Sequence, residues 1–174
     1  MQTKRLKLSP CSENDCADFI ELEIDPQVMR FLNGGHAVDR GKIDPNAAFL
    51  MPNGTEDYVW TARLKMNDMF VGWFCLWPET AQVAELGYRL RSNLWGQGLA
   101  SEGALALLNW GFKNQGYKRI FASAMAVNHG SRRVMEKIGM SYTRTIYTNY
   151  PEPITGSEEG DVEYEISRSA WDGE

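Results

Sequence analysis

The chain has 174 residues, 43% hydrophobic and 24% charged, the balance of a globular domain with room for one sizeable core. A formal net charge of −5 argues against a nucleic-acid or anionic-membrane partner, and the longest apolar stretches, 70–77 and 103–112, are far short of a membrane span. Residues 1–10 carry Lys and Arg with no apolar run behind them, and the three cysteines lack metal-ligand spacing, so the expectation is one cytoplasmic domain over 1–174.

In chain order, 5–8 is a short strand candidate, and Ser12 can cap a helix over 13–24 with Phe19, Ile20, Leu22 and Glu23 at helical spacing. Asp25-Pro26 reads as a cap followed by a first-turn proline, opening a short helix to Phe31. Residues 33–57 are rich in Gly, Pro, Asn and Asp, the pattern of an acceptor-recognising lid, with a short helix expected near 46–51. Strands follow at 58–65 and 70–77 around an Asn67-Asp68 turn, then at 83–90. A nearly all-apolar helix spans 96–114 and stops at Gly116. A strand at 119–127, a helix from the Asn128 cap to Ile138, and strands at 141–150 and 162–167 joined by a loop complete a mixed α/β sheet with helices on its faces.

The most informative stretch is Leu94-Trp95-Gly96-Gln97-Gly98-Leu99-Ala100, which sits between a strand and the apolar helix. Glycines let backbone approach a ligand, and a helix start leaves N–H groups unpaired at the positive end of its dipole, so the stretch suits an anion such as phosphate. A P-loop needs Gly-Lys-Ser/Thr, but Leu99-Ala100 follow Gly98. A dinucleotide fingerprint needs a third Gly or Ala where Ser101 stands, and an acid near Tyr117-Lys118. Neither option fits.

The segment Ala84-Glu85-Leu86-Gly87-Tyr88-Arg89-Leu90, the glycine loop, and the block 127–140 with its Asn128-x-x-Ser131…Glu136-Lys137-x-Gly139 pattern together resemble the GCN5-related N-acetyltransferases, in the branch of the ribosomal-protein N-terminal acetyltransferases. Asn93 stands where that loop often begins with Gln or Arg. The resemblance implies a mostly antiparallel sheet of about six to seven strands, and acetyl-CoA as cosubstrate with no metal. It also implies a primary-amine acceptor, either a protein N-terminus or a small amine, and a monomer or homodimer. By resemblance, amides of Gly96, Gln97, Gly98, Leu99 and Ala100 wrap the pyrophosphate. Backbone near Tyr88, Arg89 and Leu90 pairs with pantetheine and polarises the thioester, while Asn128 and Ser131 contact the coenzyme.

Glu85 is either a solvent-side carboxylate or the general base that deprotonates the acceptor ammonium, directly or through water. Asn128 is an N-cap whether or not it also binds coenzyme. Ser131 is a helix-start serine or the group that protonates the departing thiolate, with Tyr142 as rival donor. His36 and His129 match no metal spacing. Trp60, Trp73 and Trp77 are expected in the core, and Cys75 lacks an activating His-Asp arrangement, which favours direct attack by the amine. Loop acids such as Asp39, Asp44, Glu56, Asp57, Glu152, Glu158 and Glu159 read as surface charges. The alternative function is a non-catalytic acyl-CoA sensor or interaction module on the same fold.

Overall fold

The computed structural model describes residues 1–39, 57–149 and 153–173. Most of the expected lid, including the helix near 46–51 and the acids Asp44 and Glu56, lies outside the described residues, as does Glu152 of the later loop. Seven strands form one sheet in the order β1-β2-β3-β4-β5-β7-β6. They are β1 (Leu6–Pro10), β2 (Val59–Leu64), β3 (Phe70–Thr80), β4 (Val83–Leu90), β5 (Arg119–Met125), β6 (Ser141–Ile146) and β7 (Asp161–Ser167). Every pairing is antiparallel except β4 with β5.

Helices cover both faces because the strands are apolar on both. On one face, α1 (Cys16–Glu23) and α2 (Pro26–Met29) bury Phe19, Leu22, Val28 and Met29 with Phe70 and Cys75. On the other, α3 (Leu99–Trp110) and α4 (His129–Lys137) bury Leu107, Leu108, Met135 and Ile138 with Phe74, Leu76, Ala84 and Leu86. Ser12 and Asp15 form a capping box before α1, and the Asp25 carboxylate accepts from Gln27 N–H at 2.8 Å, as the sequence expects.

Several expectations need correction. The long apolar helix is α3 followed by a π-turn over Gly111–Gln115, closed by left-handed Gly116. A terminal helix α5 (Arg168–Asp172), capped by Ser167, has too few residues to show a period. Trp77 is 39% exposed rather than core, because β3 runs past the cover of α1. Glu163, on the expected polar side of β7, is 4% exposed; Arg119 and Arg144 each hold one of its oxygens, at 3.0 and 2.9 Å.

Two contacts set the position of α3. Glu102 accepts from Thr3 Oγ1 at 2.5 Å, Arg5 N–H at 2.6 Å and Arg5 Nε at 2.7 Å, tying the N-terminal segment to the helix. Gly103 lies so close to the sheet that a Cβ there would sit 2.2 Å from Phe74 Cζ. Gly→Ala normally gains about 1 kcal/mol inside a helix. Overpacking costs about 1–3 kcal/mol and the fully buried Phe74 ring cannot swing aside, so the collision wins. Gly103→Ala is expected to lower Tm by a few degrees in thermal denaturation, where an open helix glycine would raise it.

Candidate active site

The parallel pairing of β4 and β5 is short. It joins Val83 to Arg119, Ala84 to Ile120 and Glu85 to Phe121, and ends there. Beyond it, β4 stays paired with β3 as far as Leu90, and β5 with β7 as far as Met125. The sheet therefore forks at Glu85. Gln82 O accepts from Lys118 and Arg119 N–H, and Arg91 N–H donates to Val71 O. Strand alternation then turns the backbone of even-numbered β4 residues toward β5 and of odd ones toward β3. Tyr88 and Leu90 face the gap; the Leu90 carbonyl takes Trp95 Nε1–H at 2.9 Å, which leaves the two amides to the gap. Behind this segment Gly72, at φ +153°, has no room for a Cβ, which would meet Arg89 O at 2.1 Å.

The fork opens into a groove of about 560 Å³ that runs between α2, the glycine loop and α4. Gly96 and Gly98 have φ of +74° and +76°, a left-handed pair that aims the loop and the first turn of α3 at the groove. Gly96, Gly98, Leu99 and Ala100 line it, as do Tyr88, Arg89, Leu90, Asn128 and Ser131. Gln97 does not: its side chain donates to Asn93 O at 3.4 Å, and its carbonyl accepts from Arg5 Nη1 at 2.9 Å. Arg133 and Lys137 line the groove, and among the described residues no carboxylate lines it. Lys137 Nζ and Arg5 Nη2 lie 3.9 and 3.6 Å from where a Gly98 Cβ would be. Loop amides, a helix N-terminus and these cations make an anion cradle.

Asn128 Oδ1 accepts from Ser131 N–H at 3.1 Å and so caps α4. The Ser131 hydroxyl is 2.9 Å from the Tyr88 hydroxyl, and Tyr88 also donates to Ser131 O at 3.2 Å. Burial pushes the Tyr88 phenol up to about 12, against a smaller lowering by the Ser131 bond, so it stays protonated at neutral pH. Tyr142 is elsewhere. It is 53% exposed on β6, bonded to Thr145 Oγ1 at 2.9 Å, and does not line the groove.

Glu85 is half-buried at the apex of the fork, on the face opposite Tyr88. Burial raises its carboxyl, and the carboxylates of Glu79 and Glu163 raise it further. It too lies outside the groove lining, two residues along β4 from Gly87.

Sequence reasoning missed the groove's outer wall of Val28, Arg30, Phe31 and Leu32, and the cations Arg5, Arg133 and Lys137. The i,i+4 spacing of Arg133 and Lys137 on α4 was a usable signal for a basic stripe. Nothing local marks Arg5, which reaches the loop only through tertiary contact. The Tyr88 hydroxyl was also missed, because its strand pointed to backbone chemistry alone.

A sheet forked after a parallel pair, with a glycine-started helix at its mouth, is the fold shared with solved acetyltransferases of the GNAT family. The profile of the acetyltransferase (GNAT) domain matches residues 5–141, and the chain belongs to that family. It is 29% identical over 183 residues to the FsC-acetyl coenzyme A-N(2)-transacetylase of Aspergillus fumigatus, covering 98% of this chain and 77% of that protein. A GNAT-family acetyltransferase from Bacillus anthracis superposes with a TM-score of 0.82 at 25% identity, covering 97% of this chain and 98% of that one. The spermidine N-acetyltransferase of Vibrio cholerae, solved with CoA and spermine, has a TM-score of 0.73 at 13% identity, over 94% and 96% of the two chains, a likeness of fold alone. Among the described residues no helix is long and apolar enough to cross a membrane.

Proposed function

We propose that the chain transfers the acetyl group of acetyl-CoA to a primary amine by direct attack in a ternary complex. The observation that carries this reading is the union of the fork and the glycine cradle in one groove. Acetyl-CoA supplies an activated thioester, and the residues present fit it. The amides of Gly96, Gly98, Leu99 and Ala100, with Arg5, Arg133 and Lys137 around them, hold the pyrophosphate. An amide of the gap-facing Tyr88–Leu90 segment donates to the thioester oxygen, where negative charge grows during attack.

Glu85 takes the ammonium proton through a water, since it stands at the apex of the fork but outside the groove lining. Its raised carboxyl makes it a better base than an ordinary surface glutamate. The Ser131–Tyr88 hydroxyl pair, not Tyr142, delivers a proton to the departing thiolate. Burial pushes the Cys75 thiol up to about 12, so it stays protonated and offers no acyl-enzyme route. The acceptor is a small amine or a protein α-amino group. The first has the N(2)-transacetylase of Aspergillus fumigatus behind it, the second the α4 block shared in pattern with the ribosomal-protein branch.

The test is a thermal shift with acetyl-CoA followed by thiol release over a panel of polyamines, amino acids, aminoglycosides and N-terminal peptides. A raised Tm with amine-dependent release is expected. Binding with silence across the panel would favour the sensor reading, and no binding would remove both.

A further inference from the structure

We infer that Glu23 and Arg89 form a positioning pair, which holds the β4 segment 88–90 so that one of its gap-facing amides meets the thioester oxygen. The inference rests on the reading that acetyl-CoA lies in the groove with its thioester at that segment. Past Glu85 the segment has a backbone partner on one side only, because β5 has left it. Such a segment can slide or twist unless something other than a ladder restrains it. Arg89 lies between Tyr88 and Leu90, and strand alternation sends its side chain to the face opposite Tyr88, toward α1.

There its Nη1 donates to Glu23 Oε1, near the end of α1, and its guanidinium lies over the Trp73 ring at 5.2 Å from the centroid. Trp73 is also the register partner of Arg89 on β3. The backbone of the same residue rests against Gly72, where no Cβ fits. Arg89 is thus held by side chain and by main chain at once.

Stability does not account for the pair. Glu23 is 4% exposed, and its Oε2 has no hydrogen-bond partner. Burial raises the Glu23 carboxyl and lowers the Arg89 guanidinium, so removal from water outweighs the attraction on both sides. Trp73, under the guanidinium, packs on the apolar cluster that holds Phe19, Leu22, Val28 and Cys75, a setting in which two apolar side chains would pack. What apolar side chains lack is direction. A guanidinium–carboxylate bond fixes a strand along its length and in height, whereas apolar contact lets it shift. The pair stands in for the missing β5 ladder. Glu23 O also accepts from Val38 N–H, so one residue anchors both this strand and the chain that leaves α2 on the acceptor side.

The test reads the thioester carbonyl itself, by isotope-edited infrared spectroscopy of [1-¹³C]acetyl-CoA bound to the wild type, to Glu23→Gln and to the double variant Glu23→Met/Arg89→Met. In the wild type the band is expected below its position for free coenzyme. In the double variant at least half of that displacement is lost, and kcat falls about tenfold or more, while Tm is equal or higher and acetyl-CoA Kd stays within about threefold. Glu23→Gln, which keeps shape and an acceptor oxygen, gives an intermediate displacement and serves if the double variant misfolds. A displaced wild-type band that both variants retain, with kcat unchanged, would make the pair merely structural and overturn the inference alone. A wild-type band at the free position would overturn the thioester placement, and the inference with it.

Discussion

Glu85→Gln is expected to lower kcat by about 10²–10⁴-fold at neutral pH, the usual range for loss of a positioned base. Glu85 occupies the last β4–β5 pair before the fork, and its carboxyl is raised by burial and by two neighbouring carboxylates. The sign of the pH effect follows from its role. A base works when deprotonated, so wild-type activity falls as pH drops through a pKa that lies above the ordinary carboxylate value. The glutamine variant loses that limb. Its deficit narrows as pH rises toward the amine's own pKa, because more of the acceptor then arrives unprotonated. A pH–rate profile of kcat/KM for the amine checks this, and superimposable profiles would remove Glu85 as base.

Gly98→Val is expected to weaken acetyl-CoA about 10–100-fold by calorimetry, equivalent to roughly 1.4–2.7 kcal/mol. The cause is backbone conformation rather than crowding. A Cβ at Gly98 would meet only the flexible ends of Arg5 and Lys137, at 3.6 and 3.9 Å, which is ordinary contact. A φ of +76° is what valine resists, at a cost of about 1–2 kcal/mol or more, and the loop escapes by turning its amides off the anion. Tm should move little, since the loop lies at the groove mouth. Gly98→Asn is the control, because asparagine tolerates left-handed backbone, and it should retain most of the affinity. Equal loss in both variants would point to side-chain bulk instead.

Much of this was legible because it is local. The Ser12 and Asp25 caps, the Asn128 cap, Gly116 and Gly139 as helix stops, and the alternation of Val162, Tyr164 and Ile166 all act within a few residues. Each came through in the structure. The errors came where distant chain intervened. Glu163 alternates as a surface residue should, but Arg119 and Arg144 arrive from β5 and β6 to bury it. Tyr142 follows α4 directly in sequence, but β6 carries it onto Tyr164 and away from the groove.

The sequence by itself determined the seven strands and the main helices, the family pattern, and the one loop where paired glycines meet a helix start, because dihedral preference and apolar period are written residue by residue. Only the tertiary structure decided that β5 leaves β4 after Glu85, that Arg5 and Lys137 converge on the loop, and that Arg89 is held by Glu23 from α1. These depend on register and on contacts between residues as many as 99 apart, as Thr3 and Glu102 are, and no local rule of backbone chemistry encodes such distances. The glycines mark where an anion belongs. The fork, assembled from strands far apart in the chain, turns that anion site into a candidate site for acyl transfer.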